Sequence, residues 1–209
     1  NRFEGRSRLE VSLAPSDFAI GAHPVVSANM NAVTGKRMAE TMARYGGLGV
    51  LPQDMDERTV ERIVAHIKAA DPRYDTALAV EPDATLRDVT GLIRKRAHDL
   101  VVVVDSERRP VGIVTHADLR EKDQYTPVHR VMSRRPVILA EGVTNQEAFL
   151  TLDGQRVKAA PVVDAGGRLR GVMTRDDAVR MELLRPSIGA NGPRSPGTAS
   201  VTNGWSKTM

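Results

Sequence analysis

The sequence predicts an α/β protein in which an opening strand–helix segment precedes a tandem repeat. Only 3% of the 209 residues are aromatic, so the core is expected to consist of Val, Ile, Leu, Ala and Met, which suits helices packed on a sheet. Up to residue 70, short apolar runs alternate with segments of helical period. Beyond it, the stretch from 103 to 118 returns at 162 to 177.

The opening segment begins with a strand and a helix. Residues 24–27 (PVVS) form the first predicted strand, and their lack of polar alternation indicates burial on both faces. In KRMAETMARY, Met38, Ala39 and Met42 recur at helical spacing, and Gly46 and Gly47 then stop the helix. LGVLP at 48–52 is the second predicted strand.

A second helix follows, and together these elements predict parallel strands. Asp56 is expected to cap the helix, whose apolar face is formed by Val60, Ile63, Val64 and Ile67. Strands that alternate with helices of this length indicate βαβ units with right-handed crossovers. Two such units cannot close a barrel or cover a sheet, so residues 1–70 are predicted to open a larger domain.

The repeat begins after a linker at residues 71–75 (DPRYD). VVDSERRPVGIVTHAD aligns without a gap on VVDAGGRLRGVMTRDD, which lies 162 − 103 = 59 residues later, and 7 of the 16 positions are identical. The same offset pairs Thr85 with Thr144. Each copy is predicted to fold as β-α-β-β-α and to bury its open face against the other copy.

The heptapeptides GIVTHAD and GVMTRDD carry the candidate site. In each, a strand ends in Thr and a helix starts with Asp three residues later. Unpaired N–H groups at a helix start attract anions, and a carboxylate there accepts hydrogen bonds from ribose hydroxyls. Thr115 and Thr174 are therefore candidate phosphate contacts, and Asp118 and Asp177 are candidate ribose contacts. An ordinary capping box, which needs no ligand, is the alternative interpretation.

The repeated pattern G-hydrophobic-hydrophobic-T-x-x-D after a V-V-D strand resembles the CBS domain, and the pair resembles a tandem CBS (Bateman) module. The resemblance places the two domains at 75–122 and 126–181. Because such modules bind purine nucleotides between their copies, it implies an adenine or guanine nucleotide as regulatory ligand, with ATP, ADP or AMP favoured. It implies the same roles for the two Thr and two Asp residues, and homo-oligomers formed through CBS pairs.

The opening segment PVVSANMNAVTGKRMAETMARYGGLGVLPQDM resembles the start of the catalytic barrel of the IMP dehydrogenase and GMP reductase family, which inserts a CBS pair after its second βα unit. The stretches ANM, VLPQD and KRAHD are similar to the actinobacterial IMP dehydrogenase-related branch, which implies GMP reductase chemistry. The resemblance therefore implies an incomplete start of a (β/α)8 barrel. It matches Met30 to a nucleotide-binding loop, although Met30 is equally a candidate core residue.

The catalytic machinery of that family is not expected in these residues. The family uses a cysteine nucleophile, glycine-rich phosphate loops later in the barrel and a nicotinamide cofactor, whereas the chain has no cysteine. No catalytic residue is assigned, and NAD(P) is expected only in a full-length family member. Residues 182–209 are rich in Gly, Pro, Ser, Thr and Asn and are predicted to be disordered, as after a frameshift, an early stop or an incomplete gene model.

Composition argues against several other classes of function. The net charge of +4 arises from 30 basic and 26 acidic residues that are interspersed, which does not favour nucleic-acid binding. No apolar run is long enough for a membrane span and no signal peptide is evident, so a cytoplasmic protein is expected. The five His residues are scattered, which predicts no metal site. His116, inside the first heptapeptide, either contacts a nucleotide or faces solvent.

Three hypotheses follow from the sequence. The leading one is a regulatory CBS module that binds purine nucleotides and is attached to part of an oxidoreductase barrel. The alternative is the N-terminal part of an NAD(P)-dependent IMP dehydrogenase or GMP reductase. The third is an oligomerisation scaffold that binds no ligand.

Overall fold

The computed structural model describes residues 25–93, 98–184 and 186, and they fall into two compact units. The first unit includes residues 25–72, and the second is Arg73–Leu183. Residue 24, at the start of the first predicted strand, lies outside the described residues. Most of the predicted tail at 182–209 lies outside them as well.

The first unit contains two βα pairs, formed by β1 (Val26–Ser27), α1 (Lys36–Arg44), β2 (Leu48–Gly49) and α2 (Glu57–Ala69). The strands β1 and β2 pair in parallel, as predicted, and the described residues form no closed barrel. The prediction that the first strand is buried on both faces is wrong within this part of the chain, because Val25 and Val26 are 56% and 59% exposed. The faces of a strand are covered by helices that pack on the sheet, and the described part of this unit has only α1 and α2 to do so.

The two helices of this unit pack through small and branched side chains. Ala39 and Ala43 on α1 are buried together with Ile63 and Ile67 on α2, whereas Met38 is 40% exposed. The cap predicted for α2 is confirmed, since Asp56 accepts a hydrogen bond from the Thr59 backbone N–H at 2.9 Å. Hydrogen bonds from Thr59 lower the pKa of Asp56, because they favour the charged carboxylate.

The second unit contains both copies of the repeat. The elements of the first copy are β3 (Ala79–Val80), α3 (Leu86–Ile93), β4 (Leu100–Val104), β5 (Pro110–Thr115) and a 3-10 helix (His116–Leu119). After a further 3-10 helix (Val128–Arg130) and β6 (Ser133–Arg134), the second copy contains β7 (Leu139–Ala140), α4 (Asn145–Gly154), β8 (Ala159–Val163), β9 (Leu169–Thr174) and α5 (Arg175–Leu183). The predicted order is confirmed, except that the final helix of the first copy is a short 3-10 helix.

The sheet of each copy is extended at its edge by the segment that precedes the other copy. The strands of the first sheet have the order β3-β4-β5-β6, and those of the second have the order β7-β8-β9. The edge strand β6 follows the first copy in sequence and pairs antiparallel with β5. Asp75, which precedes the first copy, bridges to Val172 in β9 instead. The chain therefore enters this unit along the sheet of the second copy.

Equivalent polar contacts recur at the 59-residue offset. The Thr85 hydroxyl donates to Asp88 at 2.7 Å at the start of α3, and Thr144 donates to Glu147 at 2.8 Å at the start of α4. These hydrogen bonds lower the pKa of Asp88 and of Glu147. The equivalence follows from sequence because each cap joins residues only three apart.

The two copies share one apolar cluster, which confirms that each buries its open face against the other. Three residues of β4 pack with three residues of the second copy: Leu100, Val102 and Val104 with Ala159, Leu169 and Val172. Separate clusters lie on the outer faces of the sheets, beneath α3 in the first copy and beneath α4 and α5 in the second. Each sheet of this unit is therefore covered on both faces.

Candidate functional site

A cavity of about 700 Å³ lies in the second unit, where the start of β4 and the end of β5 meet the corresponding ends of β8 and β9. Residues of both copies line it, and all of them except Ile113 occur as equivalents 59 positions apart. These pairs are His98 with Val157, Asp99 with Lys158, Leu100 with Ala159, Thr115 with Thr174, His116 with Arg175, and Ala117 with Asp176. The cavity therefore lies on the axis that relates the repeats.

The structure brings Thr115 and Thr174 together in this cavity, at the ends of β5 and β9. The Thr115 hydroxyl donates to Asp118 Oδ2 at 2.8 Å, and the Thr174 hydroxyl donates to Asp177 Oδ2 at 2.7 Å. The backbone N–H of each Thr donates to the same oxygen, at 2.8 and 3.1 Å. The capping geometry proposed as the alternative interpretation is therefore present in both copies.

The two Asp residues are placed differently from the two Thr residues. Asp118 and Asp177 are not among the residues that line the cavity, although each is bonded to a Thr that does line it. A hydroxyl can rotate about its C–O bond, so each Thr can exchange its Asp partner for an anion in the cavity. The arrangement thus offers two hydroxyl donors to one anionic ligand.

The charged groups of the cavity break its symmetry. The second copy contributes Lys158, Arg175 and Asp176, while the first contributes Asp99, His116 and Ala117 at the equivalent positions. Arg175 is held by Asp153, with Nη1 to Oδ1 at 2.8 Å. Among the described residues that line the cavity, the Lys and Arg side chains therefore belong to the second copy, and an anion is expected to approach Lys158 and Arg175.

Sequence reasoning on the heptapeptides missed these lining residues outside the motif. His98, Asp99 and Lys158 precede buried strands; the first two end the stretch KRAHD, which was used for the family resemblance and not for the site. The 59-residue offset was the available signal, because it pairs positions 98–100 with 157–159 at the starts of β4 and β8. His116 lines the cavity and is also exposed, so both interpretations given for it agree with its position.

Met30 belongs to the first unit, whereas the residues that line this cavity belong to the second. Its side chain is 57% exposed, so the interpretation as a core methionine is wrong for the described residues. Its carbonyl accepts hydrogen bonds from the backbone N–H groups of Val33 and Thr34, both at 2.8 Å, which form a turn. A nucleotide contact at Met30 stays a prediction.

Across residues 25–93, 98–184 and 186, no group of three or more His, Cys, Asp or Glu side chains is arranged to hold a metal ion. In the same part of the chain, no helix has both the length and the apolar composition needed to cross a bilayer.

Comparison with known proteins gives consistent results. The IMP dehydrogenase / GMP reductase domain model matches residues 12–188. A GMP reductase from Mycobacterium tuberculosis is 38% identical over 204 residues, which are 98% of this chain and 42% of that protein. The chain thus spans less than half the length of this relative.

Two solved structures resemble the fold. One is a GMP reductase variant from Trypanosoma brucei in complex with guanosine 5'-monophosphate, with a TM-score of 0.60 and 25% identity over 83% of this chain and 38% of that one. The other is the cytosolic domain of the Mg2+ channel MgtE in complex with ATP, with a TM-score of 0.50 and 26% identity over 58% of this chain and 54% of that one. From the domain match and the curated relative, the chain belongs to the IMP dehydrogenase / GMP reductase family.

Proposed function

We propose that the chain is part of an NAD(P)-dependent oxidoreductase of purine metabolism that acts on GMP or IMP. The observation that carries this proposal is the 38% identity to a GMP reductase over 98% of the chain. The chain has no cysteine to serve as the nucleophile that the family resemblance implies. The reaction is therefore assigned to the portion of such proteins that this chain does not match.

The test is an assay of the protein encoded by the complete natural gene. If the protein acts on GMP, we expect NADPH to be oxidised when GMP is added. If it acts on IMP, we expect NAD+ to be reduced when IMP is added. The 209-residue chain is the control and is expected to be inactive with both pairs. Absence of both reactions in the complete protein, when it is folded, would contradict the proposal.

Within that protein, we propose that residues 75–122 and 126–181 are a tandem CBS pair that binds a purine nucleotide as a regulatory ligand. Support comes from the paired lining of the cavity and from its two Thr hydroxyls. It also comes from the similarity to one structure that holds GMP and to another that holds ATP. Adenine nucleotides are the first candidates and guanine nucleotides the second. Association of two chains through these domains stays a prediction of the resemblance.

The cavity offers polar contacts to the phosphates and, through Leu100, Ile113 and Val157, an apolar surface to the base. Thr115 and Thr174 supply hydroxyl donors, and Lys158 adds a positive charge beside them. Each hydrogen bond to a charged group contributes about 1.5–3 kcal/mol. In the proposed complex the Thr hydroxyls turn from Asp118 and Asp177 toward phosphate oxygens, and the carboxylates become free to accept the ribose hydroxyls.

We expect ATP to raise the melting temperature of the chain and the double variant Thr115→Val, Thr174→Val to lose this rise. A ligand at 100 times its Kd adds about 2.7 kcal/mol to the stability of a folded state that alone binds it. Valine keeps the shape of Thr and removes the hydroxyl donor. The measurement is thermal denaturation followed by circular dichroism, with ATP, ADP, AMP, GTP and GMP each added at millimolar concentration.

The matched control is the double variant Thr85→Val, Thr144→Val. These residues form the same kind of capping contact at the starts of α3 and α4, and they are not among the residues that line the cavity. We expect this control to lose stability and to keep the nucleotide-induced rise. If no nucleotide stabilises the unchanged chain, or if both double variants lose the rise equally, the binding proposal is wrong.

A further inference from the structure

The side chain of Arg180, on α5, is a buried charge in the second unit that lies outside the cavity lining. It is only 5% exposed and its Nη2 lies 3.1 Å from Asp177 Oδ1 in an ion pair. The same nitrogen donates a longer hydrogen bond, of 3.5 Å, to the backbone carbonyl of Arg73. The guanidinium of Arg180 thus contacts both Asp177, the candidate ribose-binding residue, and the segment by which the chain enters this unit.

That entering segment, Arg73–Asp75, is attached to the second copy at several points. The Asp75 N–H donates to the Val172 carbonyl, and the Val172 N–H donates to the Asp75 carbonyl, both at 2.8 Å. The Tyr74 side chain is buried in the core of the second copy. The segment therefore acts as an additional edge of the β7-β8-β9 sheet, next to the Asp177 corner.

The two carboxylate oxygens of Asp177 have different hydrogen-bond partners, so a ligand and Arg180 can bind Asp177 at the same time. Oδ2 accepts from the N–H and the hydroxyl of Thr174, while Oδ1 accepts from Arg180. A carboxylate offers about four acceptor positions, so a ribose hydroxyl can use Oδ2 once the Thr174 hydroxyl has turned to a phosphate. The bond to Arg180 is charge-assisted and roughly twice as strong as a neutral one, so it persists and fixes the carboxylate.

The first copy has no such connection. Position 180 − 59 = 121 is Glu121, and the 3-10 helix that carries Asp118 ends at Leu119. Among the described residues, no arginine pairs with Asp118. The two corners are thus inequivalent, and only the second is joined to an entering segment.

We propose that Arg180 is a positioning residue that couples nucleotide binding at Asp177 to the pairing of the Arg73–Asp75 segment with β9. The proposal rests on the nucleotide-binding function proposed above. Arg180 holds the carboxylate and the Arg73 carbonyl together, so a ligand that needs the fixed carboxylate stabilises the attached segment. By linkage, the paired segment in turn raises the affinity for the ligand.

Amide hydrogen exchange, measured by NMR on the complete chain, tests this coupling. We expect ATP to slow exchange at the Asp75 and Val172 amides about tenfold, the effect of one hydrogen bond to a charged group. In Arg180→Met the rate at these amides becomes independent of ATP, and in Arg180→Lys, which keeps the charge, part of the slowing returns. An ATP analogue that lacks both ribose hydroxyls gives no slowing in the unchanged chain.

The pairing of β5 with β6 in the first copy is the internal control, because no arginine of the described residues joins that edge to Asp118. Its amides are expected to respond equally in the unchanged chain and in Arg180→Met. If Arg180→Met does not fold, the exchange rates measured with Arg180→Lys and with the ATP analogue still test the coupling. ATP that binds without slowing the Asp75 amide, or slowing that persists in Arg180→Met, overturns the coupling alone. No binding of ATP to the unchanged chain overturns the proposed function as well.

Discussion

The variant Gly171→Ala is expected to lose about 3 kcal/mol of stability, the upper part of the range for overpacked cores. A Cβ at Gly171 would overlap the ring of Tyr74 and lie 2.7 Å from the Asp75 carbonyl oxygen. Tyr74 is buried and Asp75 is paired with Val172, so neither group can move without breaking the edge of the sheet. The measurement is urea denaturation followed by circular dichroism, in which the midpoint falls and the slope is unchanged.

The equivalent glycine of the first copy supplies the matched control. A Cβ at Gly112 would lie 2.5 Å from Met132 Sδ, and its three nearest atoms all belong to that flexible side chain. Because a methionine adapts by rotating its side-chain bonds, Gly112→Ala is expected to cost only about 1 kcal/mol. Equal losses of stability in the two variants would contradict the role given to the Arg73–Asp75 segment.

The variant Arg44→Met is expected to destabilise the first unit by about 3 kcal/mol, because it removes the arginine from an ion pair with a buried carboxylate. Arg44 and Glu40 are 4% and 1% exposed, and Nη2 of the arginine lies 2.8 Å from Oε1 of the glutamate. His66 Nε2 lies 3.3 Å from the other carboxylate oxygen of Glu40. Thermal denaturation followed by circular dichroism measures the loss.

Two controls separate burial from charge in this experiment. In the double variant Glu40→Leu, Arg44→Met, the charge left behind is removed, so stability is expected to return most of the way. The exposed pair formed by Arg109 and Glu107, with an N–O distance of 2.9 Å, is the matched surface case. Arg109→Met is expected to cost less than about 1 kcal/mol, as for other exposed ion pairs. A similar loss at both arginines would show that burial of the Glu40 pair has no energetic consequence.

The burial of Glu40 and Arg44 is a point where the sequence indicated the apolar face of a helix only in part. It placed Met38, Ala39 and Met42 on that face, and of these three Ala39 is buried, together with Glu40, Ala43 and Arg44. The periodicity of α1 was correct, and its orientation depended on α2 and on the Asp71 carbonyl, which accepts from Arg44 Nε at 3.2 Å. Asp71 lies 27 residues after Arg44 in the sequence, so no local pattern encodes this contact.

The candidate site, too, was predicted from the sequence only in part. The Thr–Asp contacts at both corners were predicted because they join residues three apart, and the 59-residue register made the corners equivalent. The charges of Lys158 and Arg175, and the exclusion of both Asp residues from the cavity lining, were not predicted. They depend on how the ends of four strands from two copies come together.

By itself, the sequence determined the order of most elements, the cap of α2, the Thr–Asp contacts of the two heptapeptides, the register of the repeat and the mutual burial of its copies. Helix caps and strand patterns arise from interactions within a few residues, and a repeat without gaps transfers them from one copy to the other. Only the tertiary structure decided that the Arg73–Asp75 segment completes the sheet of the second copy, and that Arg180 joins this segment to Asp177. Those contacts span about a hundred residues, and they form only when packing brings distant backbone groups within hydrogen-bonding distance.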